Sequence, residues 1–358
     1  MKGFRVSRHG GPDALEWGDW PDPVAGPGEV LLRVRACALN RLDLWVRDGV
    51  PGHRFPLPMV PGAEMAGDVV ALGAGVTGPP PGTPVVVGAG VSCGVCPQCS
   101  AGRDPLCAHF GLLGEDRDGG YAELAAVPAR NLFAIPAGLS YVEAAAVPLV
   151  FLTAWHMLAT RARLAMHEDV LVHAAGSGVS SAAIQIARLL GARRIFATAS
   201  TPEKREKALA LGATDLLDSR AGDLARSVRT ATGGRGVDVV VDHLGGETLE
   251  QSLKCLARGG RIVTCGTTAA PEAKVNLRAL FFKLQSILGS TMGSNAELAT
   301  LLAWFERGGL RPVVARVFPL AEARAAQAFL ESRGQFGKVV LAVDPGATAP
   351  PPPREGAR

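Results

Sequence analysis

The sequence predicts an α/β protein in two parts, a β-rich barrel or sandwich followed by a doubly wound parallel sheet. Three observations carry that prediction. At 358 residues the chain is long enough for about two domains. Short β-branched runs at 30–36 and 85–87 are separated by Gly/Pro clusters at 21–28, 51–61 and 79–84, the punctuation of many short strands. From residue 140 the pattern changes to alternating helices and strands.

The elements of the second part follow in order. A short apolar strand is expected at 169–173. A helix follows at 180–190, with Ala183, Ile184, Ile186, Ala187 and Leu190 on one stripe. The next strand is 194–199. The helix after it, 202–211, has Pro202 in its first turn and Gly212 at its stop. Strands at 237–242 and 261–265 flank a helix at 247–256. The end, 344–358, carries prolines at 350–353 and few apolar side chains. It reads as a disordered tail, with a Pro-rich partner motif as the alternative.

Composition excludes several classes of function. Hydrophobic residues are 47% and charged residues 20%, an ordinary globular balance. Lys+Arg 37 against Asp+Glu 33 gives a net charge of +4, too thin an excess for a nucleic-acid footprint. No apolar run reaches the roughly 18–20 residues of a membrane span. The start lacks the apolar core of a signal peptide. A cytoplasmic protein acting on a small molecule is expected.

The strongest ligand signal in the second part is a glycine turn. Residues 170–180 read Val-Leu-Val-His-Ala-Ala-Gly-Ser-Gly-Val-Ser, which is strand, small-residue turn, helix. Such a turn brings backbone N–H groups and a helix dipole to a pyrophosphate. Only Gly176-x-Gly178 survives of the strict G-x-G-x-x-G, so a tight turn without ligand is the competing reading. The second strand helps to choose the cofactor. A site selective for NAD places an acidic residue about 20 residues after the glycines. None occurs in 184–202; instead Ser200 and Thr201 precede Lys204 and Arg205. Hydroxyls and cations suit a 2′-phosphate, which favours NADP(H) over NAD(H). The alternative is a solvated first helical turn, its field diluted by Glu203.

The sharpest metal signal is Cys93-x2-Cys96-x2-Cys99-x7-Cys107. Four thiolates close a tetrahedral zinc site and leave no position for substrate, so the metal is expected to be structural. An iron–sulfur cluster and disulfides are the alternatives.

Six segments together resemble the medium-chain dehydrogenase/reductase superfamily, in its quinone-oxidoreductase-like and zinc-type alcohol dehydrogenase branch. They are Ala-Leu-Asn-Arg-Leu-Asp at 38–43, Pro-Gly-Ala-Glu at 61–64, the four-cysteine lobe, Leu-Thr-Ala at 152–154, the turn at 175–180 and Gly-Lys-Val-Val at 337–340. The resemblance covers roughly residues 1–343. It implies a GroES-like barrel at 1–149 with its zinc lobe at about 90–110, a Rossmann domain at 150–288, and a return to the barrel domain at 289–343. It implies an active site in the cleft, where the nicotinamide reaches in, and a homodimer or homotetramer.

The resemblance also places individual residues. Asn40, Asp43, Glu64 and Thr153 fall on catalytic positions, with Thr153 near the nicotinamide. Gly176, Ser177, Gly178, Val179 and Ser180 would meet the pyrophosphate, and Ser200 and Lys204 the 2′ position. Cys265, Gly266 and Thr267 would line the nicotinamide side, and Gly289 and Ser290 would lie near the carboxamide. Lys338 would reach a phosphate or stand as a surface charge.

The departures from the family pattern are as informative. The three ligands of a catalytic zinc in the relatives align with Asn40, Ala63 and approximately Leu149, and the proton-relay His with Trp45. Glu64 alone cannot hold a metal that needs three protein ligands. His53 and His156 are the histidines in candidate positions, but a lone His is more often packed or solvated. Cys37, at an odd offset from Asn40 in a strand, would face the other way.

The expected chemistry is hydride transfer from NADPH to a quinone or conjugated enone, acceptors electrophilic enough to react without a metal. Asn40 would hydrogen-bond the acceptor oxygen. The alternatives are an alcohol or aldehyde dehydrogenase with an atypical metal site, and a non-catalytic, crystallin-like NADPH-binding protein.

Overall fold

A computed structural model describes residues 1–351. They form two compact units, one of Met1–Leu149 with the residues from Gly293 onward, the other of Val150–Met292.

The first unit begins with β1 (Lys2–Val6), β2 (Leu15–Asp19), β3 (Glu29–Ala38), α1 (Arg41–Asp48), β4 (Glu64–Leu72) and β5 (Pro84–Val87). The cysteine lobe holds β6 (Gly90–Val91), α2 (Pro97–Ser100) and β7 (Gly111–Leu112), followed by β8 (Leu124–Pro128), β9 (Leu132–Ala134) and α3 (Tyr141–Ala145). The second unit holds α4 (Val150–Trp155), β10 (Asp169–Val172), α5 (Gly178–Leu189), β11 (Arg194–Ala199), α6 (Pro202–Leu211) and β12 (Asp215–Asp218). It continues with α7 (Leu224–Ala231), β13 (Val237–Asp242), α8 (Gly246–Cys255), β14 (Leu256–Thr264), α9 (Leu277–Phe282) and β15 (Ser286–Gly289). The chain then returns to the first unit with α10 (Asn295–Glu306), β16 (Val314–Pro319), α11 (Ala323–Glu331) and β17 (Lys338–Ala342).

In the first unit the main sheet runs β16-β17-β3-β4-β5-β9, with β8 also on β3. Val30, Leu32 and Val34 alternate inward along β3 and are fully buried. They pack with Met65, Val85, Val87, Tyr121 and Leu341 in one core. Two consequences of the topology build the site. The antiparallel pairing of β17 with β3 sets Val340 opposite Ala38, which delivers Lys338 to the end of β3. Asn40 then caps α1, and Asp43 closes the capping box.

In the second unit all six strands are parallel, ordered β12-β11-β10-β13-β14-β15. This is the doubly wound order, and its direction reverses between β10 and β13, where ligands collect at the carboxyl ends of strands. All four residues of β10 are buried, as a central strand covered on both faces requires. Gly212 ends α6 at φ 114°, a left-handed conformation that glycine adopts without a Cβ clash.

The observed elements differ from the expected ones at three places. β14 starts at Leu256 rather than 261, because an irregular pairing carries it farther along β13. β15 extends to Gly289, so the domain boundary falls after Met292 instead of after 288. The stretch from 344 is not a loose tail where described. Asp344 pairs with Arg35 and caps a short helical turn at Pro345–Thr348, and Ala347 is fully buried. The rest of the expected tail, 352–358, lies outside the described residues. No helix among the described residues is long and apolar enough to cross a membrane.

Candidate active site

At the end of β3 the first unit holds a closed polar network. Lys338 Nζ lies 2.5 Å from Glu64 Oε2, with side chains 4% and 0% exposed. The same ammonium donates to Asn40 Oδ1 at 2.6 Å and to the Leu39 carbonyl at 2.6 Å. Asn40 Nδ2 donates to Glu64 Oε2 at 2.9 Å and, more weakly, to the Ala38 carbonyl at 3.4 Å. Glu64 Oε1 accepts the Leu149 N–H at 2.6 Å. Three acceptors around one ammonium and two charges in contact satisfy the burial requirement for an ion pair.

Two expectations change here. Lys338 is neither a phosphate ligand nor a surface charge, because its ammonium is buried against Glu64. Asn40 does not present its amide to an acceptor, because both N–H groups and the carbonyl are engaged within the network.

The network also answers the metal question for this place. The family's three ligand positions hold an amide already spent, a methyl group and a leucine. Both oxygens of Glu64 are taken. These residues do not fit a catalytic zinc.

Asp43 is fully buried, and its Oδ2 accepts the Asn40 N–H at 2.6 Å. Burial pushes its carboxyl up to about 7, opposed by that N–H and by Lys338. Beside it, burial and Asp43 hold the Tyr121 phenol well above its ordinary range. Cys37 is equally buried, and burial pushes its thiol well above its ordinary range. Gly62 makes room for both: at φ 105°, a Cβ there would stand 2.5 Å from the Tyr121 ring and 2.7 Å from Cys37 Sγ. Trp45 is 36% exposed on α1, and His53 stands 3.5 Å from Glu115.

The four cysteines come together as the spacing predicts. Their sulfurs all lie within 4.8 Å of one another. Ligands of one tetrahedral ion at ~2.3 Å stand about 3.8 Å apart, and the Cys93–Cys99 and Cys96–Cys99 sulfurs, at 3.9 and 3.5 Å, match that spacing. Backbone N–H groups of Cys93 and His109 point at Cys107 Sγ, at 3.5 and 3.4 Å. Such donors stabilise thiolates. It is the one cluster of three or more such ligands found among the described residues.

In the second unit the glycine turn leads from β10 into α5. Ser177 caps α5, its hydroxyl accepting the Ser180 N–H at 3.1 Å. Ser180 is buried, and its hydroxyl donates to the His173 carbonyl at 2.6 Å. Ser180 therefore braces from inside the turn formed by Gly176, Ser177, Gly178 and Val179. Thr153 is buried on α4, with its hydroxyl 3.7 Å from Met292 Sδ. Ser290 places its N–H on the Thr264 carbonyl, and its hydroxyl is buried without a partner. An orphaned hydroxyl next to a strand end is what a bound polar group satisfies, so these residues fit a dinucleotide. Cys265, Gly266 and Thr267 follow β14 directly; burial pushes the Cys265 thiol up to about 12, so it stays protonated. Ser200 and Lys204 stand at the end of β11 and the start of α6, where Thr201 caps the helix. Arg205 is drawn to Asp218 at 3.1 Å.

Sequence reasoning missed one pairing and one residue. Lys338 and Glu64 were both singled out, but nothing local hinted that they pair, because the sheet alone brings them together. His243 was not singled out, yet its Nε2 lies 3.0 Å from Ser177 Oγ and 3.1 Å from Ser180 Oγ. Its position directly after the acidic end of a strand, in Val-Asp-His, was the available signal.

Comparison with known proteins agrees with this geometry. Residues 26–137 match the alcohol dehydrogenase GroES-like domain, and residues 178–307 match the zinc-binding dehydrogenase family. The chain is 30% identical to the quinone oxidoreductase of Rattus norvegicus over 349 residues, 95% of this chain and 97% of that protein. It is 33% identical to the quinone oxidoreductase of Pseudomonas aeruginosa, covering 95% of this chain and 99% of that one. Among solved structures, an NAD-dependent alcohol dehydrogenase is 46% identical with a TM-score of 0.91, covering 96% of this chain and 100% of that one. The cobalt- and zinc-bound thermostable alcohol dehydrogenase of Pyrobaculum aerophilum is 36% identical with a TM-score of 0.86, covering 96% and 99%.

Proposed function

The chain belongs to the medium-chain dehydrogenase/reductase superfamily, in its quinone-oxidoreductase and zinc-type alcohol dehydrogenase branch, and from that premise we propose that it reduces a quinone or conjugated enone with NADPH and without a catalytic zinc. It is an NAD(P)H-dependent oxidoreductase. The observation that carries the finer reading is the Lys338–Glu64–Asn40 network, which engages the Glu64 carboxylate and the Asn40 amide and leaves no three-ligand set for a metal.

A reduced nicotinamide supplies the hydride when bound. The chain's own residues bind and orient. The Ser177-capped turn and the first N–H groups of α5 receive the pyrophosphate, and the Ser290 hydroxyl offers a hydrogen bond to a carboxamide. Ser200 and Lys204 receive a 2′-phosphate. Lys338 and Glu64 hold Asn40 and the start of α1 rigid, which is positioning, not proton transfer. A proton for the reduced acceptor comes from water. The four cysteines bind one structural zinc, which braces the lobe and touches no substrate.

The same reading makes the protein a homo-oligomer. β15 is an open sheet edge, and Leu277, Phe281, Phe282 and Leu284 beside it are 61–68% exposed. An apolar patch on an unpaired edge is what a second copy covers.

The test is the loss of NADPH absorbance with matched quinones, enones and aldehydes, repeated with NADH. Turnover of quinones or enones, faster with NADPH, is expected. Turnover of aldehydes alone would replace this reading with an alcohol dehydrogenase, the activity named for the 46% identical structure. Cofactor binding without turnover of any acceptor would make it a non-catalytic NADPH-binding protein.

A further inference from the structure

The helix that carries Thr153 changes pitch before it ends. α4 runs directly into a π-helical turn at His156–Arg161, closed by the Ala162 N–H on the Met157 carbonyl at 2.8 Å, five residues back. Such turns are rare in helices and collect at functional sites. The far end of this one is fastened to β14. Arg261 donates to the carbonyls of Ala162 and Arg163 and pairs with Glu168 at 2.7 Å. Arg161, the last residue of the turn, reaches the end of β15, where its Nε donates to the Gly289 carbonyl at 2.7 Å.

That carbonyl belongs to the peptide unit that also carries the Ser290 N–H. The N–H is held as well, by the Thr264 carbonyl at 2.8 Å. A peptide unit is planar, so bonds at its two ends fix its orientation. The bond from the guanidinium is charge-assisted and is the stronger of the two. Ser290 follows directly, and its hydroxyl oxygen is buried without a partner. Beside it the end of β15 is open, since a Cβ on Gly289 would meet nothing within 4 Å. An orphaned hydroxyl, held in a fixed direction next to open space, is suited to a polar ligand group.

We propose that Arg161 is a positioning residue for the cofactor: by holding the Gly289–Ser290 peptide it aims the Ser290 hydroxyl at the nicotinamide carboxamide. The inference rests on the dinucleotide reading of this unit and adds to it a residue far from the glycine turn. Arg161 touches no reacting atom and acts through Ser290. Without the guanidinium the Gly289 carbonyl is left to water, and the peptide gains freedom that binding must then remove. The wider turn, one residue longer than an α turn, sets the direction in which Arg161 leaves the helix. Arg161 is exposed, so replacing it strands no buried charge and should leave the fold intact.

The experiment measures dissociation constants by calorimetry for the wild type, Arg161→Ala, Ser290→Ala and the double variant. The ligands are NADPH and NADH, each set against the fragment that lacks the nicotinamide, 2′-phospho-ADP-ribose and ADP-ribose. Arg161→Ala is expected to weaken the dinucleotide that the wild type binds by about three- to tenfold, the size of one hydrogen bond, and to leave its fragment unchanged. In the Ser290→Ala background the same change should have no further effect, because Arg161 acts through that hydroxyl. Dinucleotide and fragment weakened by the same factor would show a merely structural role and overturn the proposal. Unchanged binding in Arg161→Ala, or a full Arg161 effect in the Ser290→Ala background, would overturn it too. All three of these results leave the dinucleotide reading intact. Failure of every one of the four ligands to bind the wild type would overturn both.

Discussion

Lys338 and Glu64 stand 2.5 Å apart in the interior of the first unit, and each is the other's counter-ion. A buried ion pair of this kind contributes little net stability but is costly to break, because the partner left behind is an unpaired buried charge.

Lys338→Met and Glu64→Gln should therefore each destabilise the protein by about 3–5 kcal/mol. The double change Lys338→Met with Glu64→Gln should cost less than the sum, since it strands no charge. Urea unfolding midpoints check this. Additive losses would mean that the two groups do not act as a pair.

The cysteine lobe should respond differently. Cys99→Ser removes one of four thiolates from a site the size of a single zinc. Zinc content by plasma emission should fall from one per chain to none, and the melting temperature should drop. The folded fraction should keep its turnover, because a closed four-thiolate site offers substrate no position.

Much of this was legible in the sequence, for identifiable reasons. The strands and helices of the second unit follow local periodicity, and α6 carries both its stop signals, Pro202 and Gly212. The zinc lobe is legible because its ligands are close in sequence. What was not legible depends on distance along the chain. Lys338 meets Asn40 across 298 residues, and only the β17–β3 pairing brings them together. His243 reaches Ser177 across 66 residues through strand order, which no local pattern reports. Residues 344–348 looked polar and loose, but Asp344 pairs with Arg35 and Ala347 is buried.

Cofactor choice gives a third prediction. Lys204, at the start of α6, is half-buried, and burial with Lys207 lowers its ammonium pKa. Lys204→Ala should raise KM for NADPH roughly tenfold, about 1.4 kcal/mol, and leave KM for NADH unchanged. Equal effects on both cofactors would assign Lys204 no role at the 2′ position.

The fourth prediction concerns pH. The Asp43 carboxyl is pushed up to about 7 in the folded protein by burial, against an ordinary value of 3.8. Between these values the folded state holds a proton that the unfolded state has lost. This group's contribution therefore falls as pH rises through the window and is flat above about 7. Asp43→Asn should remove that slope, so the variant gains on the wild type as pH rises. Unfolding free energies at several pH values decide it. Parallel profiles would show that Asp43 is ionised throughout.

Under the proposed function, hydride transfer needs no catalytic metal, since the Lys338–Glu64–Asn40 network engages the side chains that would hold one. The most direct measurement is quinone or enone turnover with NADPH after exhaustive treatment with EDTA, with zinc content measured on the same sample. Undiminished turnover, with at most the one lobe zinc remaining per chain, is the predicted result. Turnover lost with EDTA and restored by zinc, while the four cysteines keep their ion, would contradict it.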